Sequence, residues 1–314
     1  MSREPTCCVP PTHRTTRLPL TTSASSRRVV NRTELLALDG GTFLMGSDGP
    51  MAHADDGEGP VRVVEVQPFR IAPTAVTNSE FNRFVSATGY KTEAERFGWS
   101  FVFSQFIKIE SADDLPASQG APWWRAMPKA SWREPEGPGS DIDDRSDHPV
   151  VHVSWNDAIA YCNWTGLRLP TEAEWEFAAR GGLEQKLYPW GDELTPGGRH
   201  RMNVWQGDFP VRNTAADGYI STAPVTAYEA NGFGLSNMTG NVWEWCADWF
   251  LNRDSHKFRV GPPRPTHSEG KVLRGGSYLC HESYCNRYRV SARSHNTPDS
   301  STGNASFRCA SDLR

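Results

Sequence analysis

The chain has 314 residues, of which 37% are hydrophobic, and its 12 tryptophans and 14 phenylalanines supply enough bulk for a packed core. A formal net charge of −4 argues against electrostatic binding of nucleic acid or of a membrane surface. No apolar run approaches the ~18 residues of a membrane-spanning helix. The N-terminal segment lacks the apolar core of a signal peptide, so we expect a folded cytoplasmic protein.

Residues 1–28 are rich in Pro, Thr, Ser and Arg and show no apolar periodicity. Such a segment buries too little surface to offset its ordering entropy, so we expect a disordered tail. The remaining residues, 29–314, are predicted to form one domain. It opens with a strand over 40–46, between glycine turns, and a β-branched strand over 61–66.

Three helices are predicted from their caps. Thr77 precedes the first, and Ser154 opens a second that ends at Gly166. Thr171 and Glu174 form the T-x-x-E capping box of the third. Residues 111–150 and 182–271 are rich in Gly and Pro and show no sustained period, so we expect mostly irregular structure there. Loops of that length need fastening by metal ions or a disulfide.

The pair Cys280 and Cys285 is the sharpest chemical feature. Residues five apart point to opposite faces of a strand and lie about 140° apart on a helix, so the two thiols converge only if the segment bends. Convergent thiols form a disulfide or bind a soft metal. Zinc normally needs four ligands, and no CxxC pair occurs elsewhere, so Cu(I) or a redox disulfide is favoured. The alternative is two small buried hydrophobic residues.

The residues around this pair resemble the catalytic C-terminal part of the formylglycine-generating enzymes of bacterial type. The resemblance rests on the runs Gly275-Gly276-Ser277-Tyr278-Leu279-Cys280-His281-Glu282-Ser283-Tyr284-Cys285, Arg287-Tyr288-Arg289, Asn296-Thr297-Pro298-Asp299-Ser300-Ser301 and Phe307-Arg308-Cys309-Ala310. It extends back through residues 234–245, 203–210 and 168–176, and it covers about residues 35–314. The earlier motifs mark a wider superfamily, whereas the paired cysteines mark the enzyme.

The resemblance implies a copper-dependent oxidase that converts the cysteine of a Cys-x-Pro-x-Arg motif to formylglycine. Its substrate would be an unfolded or nascent sulfatase polypeptide. Cys280 and Cys285 would hold Cu(I), the substrate thiolate would join as a third ligand, and O₂ would be activated near Ser277. An external thiol would act as reductant. The implied pocket residues are Trp243, Tyr284 and Asn304.

Two structural calcium sites are also implied. The first set is Asn203, Val204, Asp217 and Tyr219. The second set is Asn237, Gly240, Val242 and Glu244. Ca²⁺ takes oxygen ligands from carboxylates, amides and backbone carbonyls, which loops can supply. Without the resemblance, scattered Asn and Asp residues indicate turns rather than ligands.

A disulfide between Cys162 and Cys309 is implied as well, although a reducing cytoplasm argues against it. A second bridge of relatives is absent here, because Ala179 and Val290 occupy both of its positions. Cys246 then has no evident partner and is expected to be a buried hydrophobic residue.

The implied fold is a single large α+β domain of the formylglycine-generating type, with C-type-lectin-like features and little regular secondary structure. We expect a monomer. Two alternatives remain open: a non-heme iron sulfoxide synthase of the same superfamily, and a non-enzymatic lectin-like binding paralogue. The iron enzyme would need two or three histidines beside a carboxylate. Binding paralogues typically lack the cysteine pair.

Overall fold

The structure is a computed structural model that describes Pro10 and residues 35–109, 114–251 and 270–313. The tail predicted for residues 1–28 lies outside these ranges apart from Pro10. That proline is buried, and its carbonyl oxygen accepts a hydrogen bond from Asn296 Nδ2 at 3.0 Å.

Capping boxes begin the four α-helices of the described ranges. The helices are α1 Asn78–Thr88, α2 Glu93–Phe97, α3 Trp155–Thr165 and α4 Glu172–Arg180. Each has a Thr or Ser N-cap bonded to the third residue of the helix, and each ends at a glycine in the left-handed conformation. The three predicted helices are confirmed. Helix α2 was not predicted, although Thr92 and Glu95 repeat the T-x-x-E pattern.

The strands are short and form several small sheets. They are β1 Leu36–Leu38, β2 Gly41–Met45, β3 Arg62–Val66, β4 Phe69–Ile71, β5 Trp99–Phe103, β6 Ala117–Ser118, β7 Ala121–Pro128, β8 Gly207–Asp208, β9 Arg212–Asn213, β10 Trp243–Trp249, β11 Lys271–Arg274, β12 Arg293–Asn296, β13 Ala305–Ser306 and β14 Ala310–Asp312. The largest sheet has the order β12-β11-β10-β13, and the others are β1-β4-β14, β5-β7-β6, β2-β3 and β8-β9.

The two predicted strands are confirmed as the antiparallel pair β2 and β3. The expectation of irregular structure was wrong at β7, within 111–150, and at β10, within 182–271. Both strands are rich in tryptophan and show no sustained alternation of apolar and polar residues. The partners of β10 are distant in sequence, whereas β7 pairs with its neighbour β6 as well as with β5. Elsewhere the expectation of an α+β domain with little regular structure is confirmed. Within the described ranges, no helix is long and apolar enough to cross a bilayer.

Buried arginine–carboxylate pairs join α4 to the largest sheet. Arg274 of β11 contacts Glu172 at 3.0 Å and Glu176 at 2.5 Å, and Arg293 of β12 pairs with Glu172. Arg180 pairs with Glu176 at 2.6 Å within α4. All five side chains are buried. Because each carboxylate serves two arginines, α4, β11 and β12 are held together by one connected set of charges.

Two further pairs fasten loops to the same core. Arg289 contacts both carboxylate oxygens of Glu58 at 2.6 Å. Arg308 contacts Glu244 at 2.6 and 2.7 Å. A bidentate guanidinium–carboxylate contact fixes the relative orientation of the two side chains as well as their distance. These bonds supply the fastening that long irregular segments require.

We predict that Glu58→Gln lowers the free energy of unfolding by about 3–5 kcal/mol, because Arg289 is then left buried beside a neutral group. Urea denaturation followed by tryptophan fluorescence measures the change. Asp312→Asn is the matched control, since it weakens the surface pair with Arg168, in which Asp312 is 74% exposed. That control should cost less than about 1 kcal/mol. Equal losses in the two variants would contradict the structural role given to the buried pair.

Candidate active site

The segment that joins β11 to β12, residues 275–292, is called the cysteine loop, and it carries the cysteine pair on two consecutive bends. Cys280 N donates to Ser277 O at 2.9 Å, and the backbone N–H groups of Tyr284, Cys285 and Asn286 all converge on His281 O at 3.0–3.1 Å. The segment therefore bends, as convergence of the thiols requires. Cys280 and Cys285 are each 1% exposed and belong to the same buried core cluster.

Gly276 explains why the loop can close so tightly. Its φ is +74°, and a Cβ atom built on it would lie 2.7 Å from Arg287 O. The chain entering the cysteine loop thus touches the backbone of the chain leaving it. Any side chain at this position would push the two ends of the loop apart.

An aromatic cleft opens beside Cys280. Trp123 contacts the ring of Tyr284 edge-on, with centroids 4.7 Å apart, and Phe209 stacks on Tyr284 at 4.5 Å. The side chains that line the cleft are Trp123, Trp124, Phe209, Ser277, Leu279, Cys280 and Tyr284. No role was predicted for the two tryptophans or for Phe209. The adjacent tryptophans in a Pro- and Gly-rich stretch were the available signal.

Three of the predicted residues are joined by hydrogen bonds at the inner end of this cleft. Ser277 N donates to Cys280 Sγ at 3.4 Å, and Asn304 Nδ2 donates to Ser277 Oγ at 2.9 Å. Ser277 and Asn304 are both fully buried. The backbone of Asn304 is fixed in turn, because Trp243 N donates to its carbonyl oxygen at 2.8 Å.

Trp243 was expected to form a wall of the pocket. The structure places its indole in the buried core cluster that also contains both cysteines, so its role in the pocket stays a prediction. It is not among the residues described as lining the cleft. Within the described part of the chain, its Nε1 has no hydrogen-bond acceptor. Trp243 therefore packs in the core around the thiols.

Residues 53–58, in the N-terminal half of the chain, contact the cysteine loop at three points. His53 Nε2 lies 3.0 Å from Cys285 O, and Arg287 contacts Asp56 at 2.6 Å. The buried Arg289–Glu58 ion pair is the third contact. Residues 53–58 thus bind the backbone next to the second cysteine, a role that no sequence pattern indicates.

The first predicted calcium set is brought together. Asp217 Oδ2 accepts from Val204 N at 2.9 Å, and Asp217 Oδ1 accepts from Tyr219 N at 3.1 Å. Burial raises the pKa of Asp217. Asn203 is 1% exposed, and its Oδ1 has no donor among the described residues. A buried amide oxygen without a donor and a carboxylate are both ligand types that a hard cation takes.

The second predicted calcium set also contains a buried amide oxygen without a hydrogen-bond donor among the described residues. Asn237 Oδ1 is buried without a donor in the described part of the chain, while its Nδ2 donates to Pro224 O at 3.2 Å. Glu244, in contrast, already accepts from Arg308 and from Trp175 Nε1 at 2.8 Å. In this set the Asn237 side-chain oxygen is therefore available to a cation, whereas the Glu244 carboxylate is already engaged in hydrogen bonds.

The sulfurs of Cys162 and Cys309 lie 3.8 Å apart, as two thiols in contact rather than a disulfide. The contact with Cys162 and burial raise the pKa of the Cys309 thiol. Their disulfide stays a prediction. Cys246 is fully buried, and burial raises its thiol pKa well above the ordinary value.

Fold and site together define a single-domain α+β protein with a buried thiol pair beside an aromatic cleft. A family model described as the sulfatase-modifying factor enzyme 1-like domain matches residues 21–313. The chain therefore belongs to the family of sulfatase-modifying factor enzymes, which confirms the resemblance to formylglycine-generating enzymes.

Individual relatives agree with this assignment. The formylglycine-generating enzyme of Thermomonospora curvata is 58% identical over 282 residues, covering 88% of this chain and 93% of that protein. The inactive C-alpha-formylglycine-generating enzyme 2 of Mus musculus is 48% identical over 280 residues, covering 88% and 85%. The solved structure of PvdO from Pseudomonas aeruginosa matches with a TM-score of 0.62 at 24% identity, covering 93% of this chain and 100% of that one. The last match concerns the fold alone.

Proposed function

We propose that this chain oxidises a cysteine of a sulfatase polypeptide to formylglycine, with Cys280 and Cys285 as ligands of Cu(I). The observation that carries the proposal is the burial of both thiols in one cluster, with Cys280 at the inner end of an aromatic cleft. The similarity to named formylglycine-generating enzymes supports the oxidation of cysteine as the reaction.

The donor set fits Cu(I). Two thiols are a soft pair, which suits a soft monovalent ion, and the set leaves room for a third sulfur. The Ser277 N–H group donates to Cys280 Sγ at 3.4 Å, which fixes the position of this sulfur. When bound, Cu(I) would supply the activation of O₂, and an external thiol would supply the remaining electrons.

The non-heme iron alternative needs several histidines beside a carboxylate. The described residues do not assemble any group of three or more His, Cys, Asp or Glu side chains able to hold a metal. A pair of cysteines is smaller than such a group and matches the copper proposal. The two-thiol centre is therefore favoured over the iron centre.

The aromatic walls determine what can enter. Trp123, Phe209 and Tyr284 are each only partly buried, so their rings present apolar surface at the mouth of the cleft. Such surface suits the proline of a Cys-x-Pro-x-Arg motif and keeps water away from the thiols. The resemblance to formylglycine-generating enzymes implies that the substrate is an extended, unfolded segment of a sulfatase.

We predict that Cys280→Ser and Cys285→Ser each abolish conversion of a synthetic Cys-Thr-Pro-Ser-Arg peptide, because each removes one soft ligand. The assay contains protein, Cu(I), dithiothreitol and oxygen, and mass spectrometry detects the change of the peptide thiol to an aldehyde. Cys246→Ala is the matched control, since this buried cysteine lies outside the cleft, and it should retain turnover. Turnover in both serine variants would refute the copper centre. Inactivity of folded, copper-loaded wild type would favour the binding paralogue.

We also propose that Ca²⁺ binds at the two sets around Asn203 and Asn237. The carboxylate of Asp217 and the two unpartnered amide oxygens support this assignment. A cation there would satisfy buried oxygens that the described residues leave without a donor. It would also fasten the long irregular segments between α4 and β10.

We predict that removal of Ca²⁺ with a chelator lowers the melting temperature. At a free concentration one hundred times the Kd, a ligand bound only to the folded state contributes about 2.7 kcal/mol. Differential scanning calorimetry with and without added Ca²⁺ measures the effect. Asp217→Asn should show a smaller Ca²⁺-dependent shift than wild type. Identical melting temperatures for wild type in chelator and in Ca²⁺ would count against both sites.

A further inference from the structure

We propose that Thr302 is a positioning residue that holds the side-chain amide of Asn304 and, through it, sets the direction of the Ser277 hydroxyl. This inference rests on the proposed function for its effect on turnover. It concerns a residue outside the cysteine loop and outside the predicted site, which reaches the cleft only through two other side chains.

The backbone of Thr302 is fixed from two sides. His152 N donates to Thr302 O at 2.9 Å, and the chain forms a parallel bridge with Phe101 of β5. Gly303 N donates to Phe101 O at 3.1 Å. Thr302 is fully buried. Its hydroxyl therefore occupies a place determined by the fold.

From that place a chain of hydrogen bonds leads to the cleft. Thr302 Oγ1 donates to Asn304 Oδ1 at 2.8 Å, and Asn304 Nδ2 donates to Ser277 Oγ at 2.9 Å. An amide oxygen can only accept and an amide nitrogen can only donate. Occupation of Oδ1 by Thr302 therefore keeps Nδ2 facing Ser277.

The orientation of the amide decides what Ser277 can do. Ser277 Oγ accepts from Asn304 Nδ2 and, at a longer 3.4 Å, from Leu279 N. With two donors directed at this oxygen, its own hydrogen is left for a group bound in the cleft that Ser277 shares with Cys280. If the amide turned over, Asn304 Oδ1 would accept that hydrogen instead.

Thr302→Val keeps the shape of the side chain and removes its hydroxyl. We expect kcat for the peptide to fall about tenfold, because one neutral hydrogen bond that aligns the site is lost, while KM stays within about twofold. Thr302→Ser restores the hydroxyl and should restore kcat. Thr297→Val is the matched control, since Thr297 Oγ1 donates to Asp299 at 2.6 Å in the same loop, outside the chain to Ser277. Its kcat should equal that of wild type.

Exchange of the Asn304 side-chain amide protons, followed by ¹⁵N NMR, tests the same contact without turnover. Exchange should be faster in Thr302→Val than in wild type or Thr302→Ser. Wild-type kcat together with wild-type exchange in Thr302→Val would overturn the inference, as would equal losses in the Val and Ser variants. An inactive wild type in which Thr302→Val still accelerates exchange would remove the proposed function and keep the positioning role.

Discussion

Buried arginines paired with carboxylates are the interaction on which this fold depends. Arg274 and Arg293 stand at the two ends of the cysteine loop, and both contact Glu172 of α4. A buried charge that loses its partner costs several kcal/mol, so these contacts must form together. Short strands form few hydrogen bonds with one another. The ion pairs add contacts of fixed geometry between one helix and segments that are distant in sequence.

The position of the thiol pair follows from this arrangement. The loop is anchored where β11 ends and β12 begins, it closes on itself at Gly276, and residues 53–58 bind it through His53 and the Arg289–Glu58 pair. A flexible loop could not hold two thiols for one small ion. Anchoring on several sides therefore gives an irregular segment the fixed geometry that the proposed Cu(I) site requires.

The sequence predicted best what is local. Capping boxes and terminal glycines identified α1, α3 and α4, because these signals lie within a few residues of each helix end. It failed at β7 and β10, where no sustained alternation of apolar and polar residues marks a strand. It also failed for Trp123 and His53, whose neighbours come from other parts of the chain. Spacing alone left Cys280 and Cys285 ambiguous. The family resemblance supplied the roles proposed for them and for Ser277 and Asn304, and the structure adds the hydrogen bond that joins the latter two.

The most direct test of the central claim is X-ray absorption at the copper edge on protein titrated with Cu(I). The account predicts one tightly bound Cu(I) per chain with two sulfur neighbours, and a third sulfur neighbour when the cysteine peptide is added. It also predicts loss of this site in the Cys280→Ser/Cys285→Ser double variant. Copper bound through nitrogen or oxygen, or bound equally well by the double variant, would contradict the assignment of the thiol pair.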